Sequence, residues 1–198
     1  MTKPTLHKIY LILSIIVITY GIWANLWNGE YFRYPSLRMF TYQSNLLVVA
    51  TFIALLLTDG SSTFMRYLSS STILAIAITG LVYNLVLVPF AGNPPVTTGF
   101  PNFSTHLLAP ILGVAHYFIF MEKGHINFKH VLVGMIFPAT YWVIFVSIGR
   151  MINFHPYFFM DPTRVGWVMI FVWLAILLGS FFVFGTLLFL YDRRAKKY

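Results

Sequence analysis

The sequence predicts an all-α polytopic membrane protein, a single domain of six transmembrane helices, and three observations carry that reading. The chain has 198 residues, of which 59% are hydrophobic and only 9% charged, with a mean hydropathy of +0.78. A water-soluble chain of this length cannot hide so much apolar surface. The apolar residues also come in blocks of about 20, the length at which a helix crosses the hydrocarbon core of a bilayer. The blocks fall at 8–28, 41–58, 72–91, 106–121, 129–149 and 165–191. Within each block the hydrophobicity is continuous rather than alternating, which argues against a barrel.

The first block ends in Trp23, Asn25 and Trp27, an indole belt of the kind found at a membrane interface. It is too long for the core of a cleaved signal and no small-residue cleavage site follows, so it reads as a retained anchor. The loop Asn28–Met39 precedes the second block, and Asp59-Gly60-Ser61-Ser62 supplies a turn after it. The third block contains Asn84 and ends near Pro89. The stretch Ala91–Thr105 holds Gly92, Pro94, Pro95, Gly99 and Pro101 without a charge, so it is not helical throughout and offers a segment to fold over the bundle mouth. The fourth block opens Ser104-Thr105-His106, with Ser104 as the expected N-cap. Pro110, four residues after His106, removes the N–H that the His106 carbonyl would accept and predicts a kink. Pro138, Tyr141 and Trp142 mark the fifth block, and the aromatic stretch Phe154–Met160 reads as an interfacial loop. In the sixth, Ala175, Gly179 and Gly185 are the small residues expected at close helix contacts.

The net charge of +8 does not point to nucleic acid, because its distribution follows topology. With the N-terminus in the cytoplasm, one side carries Lys3, Lys8, Arg66, Lys123, Lys129, Arg193, Arg194, Lys196 and Lys197, and the other Arg33, Arg38, Arg150 and Arg164. Nine against four obeys the positive-inside rule with both termini cytoplasmic. The basic tail then faces anionic membrane lipids.

This topology gathers the polar side chains of the spans at one depth. Thr41, Ser44 and Asn45 open the second span from the outer side, His106 opens the fourth from the same side, and Asn84 and Asn25 reach that level from the third and first. Polar groups at membrane depth are costly, and tend to be paired or functional. A hydroxyl becomes a nucleophile only with a base in hydrogen-bond reach, and a neutral imidazole suits that task. Thr41 with His106 is the pair this sequence offers, and Ser44 is a rival nucleophile. Gln43, Ser44, Asn45 and Asn84 are candidates to hold substrate or to donate to an oxyanion. The chemistry would be acyl transfer to water on a lipid ester. Two bland readings stand beside it: a threonine at a helix start is commonly an N-cap, and a membrane histidine is commonly interhelical glue. A non-catalytic lipid-binding or lipid-transport protein would use the same residues for recognition alone.

Other chemistries have less behind them. There is no cysteine, and neither a Gly-x-Ser-x-Gly elbow nor a His-Glu-x-x-His motif. His106 and His116 sit on one block about 15 Å apart, unlike a bis-histidine haem site. Glu122-x-x-His125 occurs once and crosses a glycine, so no di-metal bundle is implied. No lysine or acidic residue lies mid-span, which disfavours a Schiff base and ion-coupled transport. His7, His125 and His130 are expected in solvent. No metal or cofactor is called for.

Phe40-Thr41-Tyr42-Gln43-Ser44-Asn45-Leu46-Leu47, then His106-Leu107-Leu108-Ala109-Pro110-Ile111, then Tyr141-Trp142 and Phe154-His155-Pro156-Tyr157-Phe158 follow one another as in a known family. Over essentially its whole length the chain resembles the androgen-induced gene and androgen-dependent tissue-factor-pathway-inhibitor-regulating proteins, with their microbial relatives. Gln43-Ser44-Asn45 looks like the microbial branch. The resemblance implies a multi-span membrane hydrolase of fatty acid esters, with its nucleophile at Thr41 and its histidine at His106.

Overall fold

The computed structural model describes residues 3–27, 29–58 and 60–195. Asn28 and Asp59 of the expected loops, and Lys196 and Lys197 of the basic tail, lie outside the described residues. Six helices are long and apolar enough to cross a membrane: α1 Lys3–Leu26, α2 Phe40–Leu57, α3 Thr63–Ala91, α4 Phe100–Phe120, α5 Phe128–Gly149 and α6 Pro162–Ala195. The chain is an all-α, multi-pass membrane protein. It forms two compact units, Met1–Glu122 with α1–α4 and Lys123–Tyr198 with α5 and α6.

In the first unit α1 packs on α2, α2 on α3 and α3 on α4, and α4 returns to α1. Leu11, Ile18, Ile22 and Leu26 recur at intervals of seven and four, so they line one face of α1 and bury it against Val48 and Phe52 of α2 and Ile76 of α3. The opposite face of α1 leaves Ile9, Leu13, Ile16 and Tyr20 exposed, an apolar exterior suited to lipid. Between α2 and α3 the seam carries hydroxyls. Ser44 Oγ meets Thr79 Oγ1 at 2.8 Å, and Thr51 Oγ1 meets Thr72 Oγ1 at 2.8 Å. One heptad separates the two pairs on each helix, in opposite directions, so the same face repeats. Such pairs hold helices together where apolar contact alone gives no preference over lipid.

Several element ends differ from expectation. α3 starts at Thr63 rather than near 72, because the Ser62 side chain accepts from Met65 N at 3.2 Å and caps it. α4 starts at Phe100, following Gly99 at φ +79°. Ser104 is therefore not an N-cap: it lies inside the helix and its Oγ donates to the Val17 carbonyl at 3.1 Å. Gly21 makes this approach possible, since a Cβ there would fall 2.6 Å from Ser104 Cβ. His7 is not solvated either. Its Nε2 lies 2.9 Å from Nε2 of the buried His116, and its ring stacks on Phe120.

In the second unit Asn127 caps α5, accepting from Lys129 N at 3.0 Å, while Asn127 N donates to His130 Nδ1 at 3.2 Å. His130 is thus buried in a capping box rather than solvated. The stretch after α5 is not merely interfacial: Phe159 and Met160 are buried, and Phe159 stacks between Trp142 and Trp173 at 5.9 and 5.2 Å. Asp161 opens α6, its carboxylate accepting from Thr163 N at 2.9 Å and Thr163 Oγ1 at 2.6 Å. The Thr163 hydroxyl in particular, helped by His155 and Arg164, holds this carboxyl below its usual range. Gly166, at φ +77°, breaks α6 after its first turn. Gly179 is not at a close helix contact, since a Cβ there would meet nothing within 4 Å.

Candidate functional site

Several of the expected polar residues gather about two places where helices widen. α3 makes a π turn over Tyr83–Leu87 and α4 another over Ser104–Leu108. Both have the same cause. In α4 the N–H of Ala109 reaches back five residues to the Ser104 carbonyl, and the next residue is Pro110. In α3 the N–H of Val88 reaches back to Tyr83, and the next residue is Pro89. A proline within a helix removes a donor and crowds the preceding turn, and the helix widens to accommodate it.

The widening in α4 frees two successive carbonyls. Thr105 O loses Ala109 N–H to Ser104, and His106 O faces the N–H that Pro110 lacks. A buried carbonyl without a donor is costly, and neighbouring helices supply both donors. Asn45 Nδ2 of α2 donates to Thr105 O at 3.1 Å, and Asn84 Nδ2 of α3 donates to His106 O at 3.3 Å. Each amide also donates to its own helix, Asn45 to Thr41 O at 2.8 Å and Asn84 to Gly80 O at 2.8 Å. A carboxamide has two N–H groups, so both are committed to backbone in each residue. Asn45 Oδ1 then points the other way, buried and without a hydrogen-bond partner among the described residues.

Asn45 thus links the turn that carries Thr41 to the turn that carries His106. Thr41 is buried at the second position of α2. It is not the N-cap, a place taken by Met39 with no side-chain cap, so the bland reading of this threonine does not apply. Ser44 is fully buried and its Oγ is shared between Thr41 O at 3.0 Å and Thr79. Gln43 is turned away from this layer, with Nε2 3.3 Å from the Arg38 carbonyl at an exposed position.

His106 is buried, and its ring makes its hydrogen bonds within its own helix. Nδ1 lies 3.1 Å from the Asn102 carbonyl and 3.0 Å from Thr105 Oγ1. A carbonyl can only accept, and the Thr105 hydroxyl has its own acceptor in Pro101 O at 3.1 Å. Nδ1 therefore carries the proton, and Nε2 is left as the acceptor. On its face the imidazole lies against Tyr83 of α3, with centroids 3.5 Å apart and planes at 23°. Asn25 of α1 completes the layer, donating to Pro101 O at 2.6 Å and Thr105 Oγ1 at 3.1 Å.

Sequence reasoning brought forward Thr41, Gln43, Ser44, Asn45, Asn84 and His106: Asn45 and Asn84 reach the turn that carries His106, Ser44 and Asn45 hold the carbonyl of the buried Thr41, and Gln43 lies apart. It missed Tyr83, Asn102, Thr105 and Thr79. For Asn102 a signal existed, since the position four before a helical histidine shares its face of the helix.

Fold and site together define a polytopic α-helical membrane protein with a buried polar layer built around an imidazole and two proline-widened helices. A scan against protein-family models finds no match to the chain, and searches of curated proteins and of solved structures find none either.

Proposed function

We propose that this chain is an intramembrane hydrolase of fatty acid esters, of the microbial branch of the family it resembles, with Thr41 as nucleophile and His106 as general base. The observation that carries the reading is the state of the His106 ring: Nδ1 is engaged by the Asn102 carbonyl and Thr105, so Nε2 holds the lone pair a base requires. In the reaction Thr41 Oγ1 attacks the acyl carbonyl and gives its proton to His106 Nε2. The imidazolium returns that proton to the departing alcohol, leaving an acyl ester on Thr41. Water, deprotonated by His106, then cleaves this ester, releasing the fatty acid and restoring the Thr41 hydroxyl. Asn45 and Asn84 act by holding the two turns, because their N–H groups are already donated to carbonyls. In this reading both termini are cytoplasmic and the polar layer lies near the outer face.

The purified protein is tested against a panel of lipid esters and with a fluorophosphonate probe. The expected result is turnover that falls by at least about 100-fold in Thr41→Ala and in His106→Gln, with probe labelling lost in Thr41→Ala. Labelling that persists in Thr41→Ala, or turnover indifferent to both changes, overturns the assignment. Lipid binding without any turnover would favour the recognition reading, whose support is the unpartnered Asn45 Oδ1.

A further inference from the structure

The imidazole of His106 is connected twice to the non-helical segment 92–99, by two different residues. Tyr83 lays its ring on the imidazole face at a centroid distance of 3.5 Å, while its hydroxyl donates to the Pro94 carbonyl at 2.7 Å and sits 2.9 Å from Asn102 Oδ1. Asn102 receives the imidazole Nδ1–H on its backbone carbonyl at 3.1 Å, while its side-chain amide donates to Pro95 O at 2.8 Å and Pro94 O at 3.3 Å. Each residue thus has one group on the segment and another on the ring. Asn102 is buried, Tyr83 is buried, and the two are joined to each other. The segment itself is bounded by Gly92 at φ +68° and Gly99 at φ +79°, backbone states that glycine adopts without strain. Between them the Pro94-Pro95 pair is stiff and lacks N–H donors, so its carbonyls are the natural handles.

We propose that Tyr83 and Asn102 form a clamp by which segment 92–99 positions the His106 imidazole. The clamp rests on the hydrolase reading only in calling that ring a base; the coupling of segment to ring stands without it. With the segment seated, the phenol face and the Asn102 carbonyl fix the ring plane and hold the proton on Nδ1. The phenol face also lies where positive charge develops when Nε2 takes a proton, and aromatic faces stabilise cations. With the segment released, Tyr83 keeps only Asn102 Oδ1 as acceptor and the Asn102 amide loses both of its proline carbonyls, so the two residues that flank the ring are held less firmly.

The test uses the full chain in micelles with ¹⁵N-labelled histidine, the His106 signals being assigned through His106→Gln. Tyr83→Phe keeps the stacked face but loses the hydroxyl's contacts to Pro94 O and Asn102 Oδ1, and Asn102→Ala loses the amide but keeps the backbone carbonyl. Backbone hydrogen exchange at Thr98 and Gly99, which donate to Pro95 O at 2.9 Å and Thr97 O at 3.0 Å, reports the segment. The expected result is a single Nδ1–H tautomer in the wild type. Both variants should show faster exchange at Thr98 and Gly99 together with a mixed or averaged tautomer signature at His106. On an ester that the wild type cleaves, kcat should fall about tenfold in each variant with KM changed less than twofold. Faster segment exchange with an unchanged His106 spectrum overturns the clamp. A changed spectrum in a protein that cleaves no ester supports the clamp and removes the hydrolase reading, so the two failures are told apart. Should one variant fail to fold, the other carries the same comparison.

Discussion

Gly80→Ala tests whether the proline-widened contact of α3 and α4 is as tight as its geometry implies. A methyl at Gly80 would lie 2.9 Å from Pro110 Cβ, 3.0 Å from Pro110 Cγ and 3.5 Å from the His106 carbonyl oxygen. Carbon atoms in comfortable contact stand about 3.5–4.0 Å apart, so the space is short by roughly half an ångström. Pro110 cannot rotate its ring out of the way, and the helices must part or the turn must move. Overpacking of this kind costs about 1–3 kcal/mol, against about 1 kcal/mol recovered by replacing a helical glycine. The net loss is therefore about 1 kcal/mol, and the Asn84 bond to His106 O should weaken with it. Two other glycines calibrate the figure. Gly113→Ala meets Ile76 Cγ2 at 2.7 Å, the branch methyl of a stiff and fully buried side chain, and Gly179→Ala meets nothing within 4 Å. Denaturant or thermal unfolding in one detergent should rank Gly179→Ala most stable, with Gly113→Ala and Gly80→Ala both below it. Gly80→Ala as stable as the wild type would refute the packing argument.

The hydroxyl seam predicts that Thr51→Val and Thr72→Val couple by about 0.6 kcal/mol in a double-mutant cycle, the average for interhelical pairs in membranes. Purely additive effects would mean the 2.8 Å contact contributes nothing. Asp161→Ala should cost about 1 kcal/mol at neutral pH, the usual worth of a helix cap. Because folding lowers this carboxyl's pKa, its contribution is present above the ordinary value of 3.8 and is lost as the pH falls through the lowered one. Unfolding midpoints of wild type and variant should accordingly converge in acid, and a gap that stays constant with pH would exclude the cap as its source.

The six spans were legible because length and continuous hydrophobicity are local properties. Their ends were not. The stretch Thr63–Ser71 carries Arg66 and four serine or threonine residues, Thr63, Ser69, Ser70 and Ser71, which lower its hydropathy although Ser62 caps a helix there. Gly99 and Pro101 look like loop residues but sit at a helix start, where a left-handed glycine and an early proline both fit. Thr41, Asn45, Asn84 and His106 could be placed at one depth by counting spans, since depth follows from topology. What each side chain touches could not. Asn45 and Asn84 look like free donors in the sequence, and only the widened turn of α4 shows why both are committed to carbonyls. His7 pairs with a residue 109 positions away, a distance over which no local pattern speaks.

Pro110 explains more of this site than its kink suggests. By lacking an N–H it orphans the His106 carbonyl, and by widening the turn it orphans Thr105 as well. Two successive open carbonyls at membrane depth need two donors from outside the helix, and here they come from two neighbours, Asn45 of α2 and Asn84 of α3. The asparagines that meet this need fix both neighbours to the turn carrying the imidazole, one of them at the carbonyl of Thr41 itself. Replacing Pro110 by alanine restores the helical donor for His106 O. In that variant Asn84 should become dispensable to stability while Asn45 stays needed only so long as the turn remains wide.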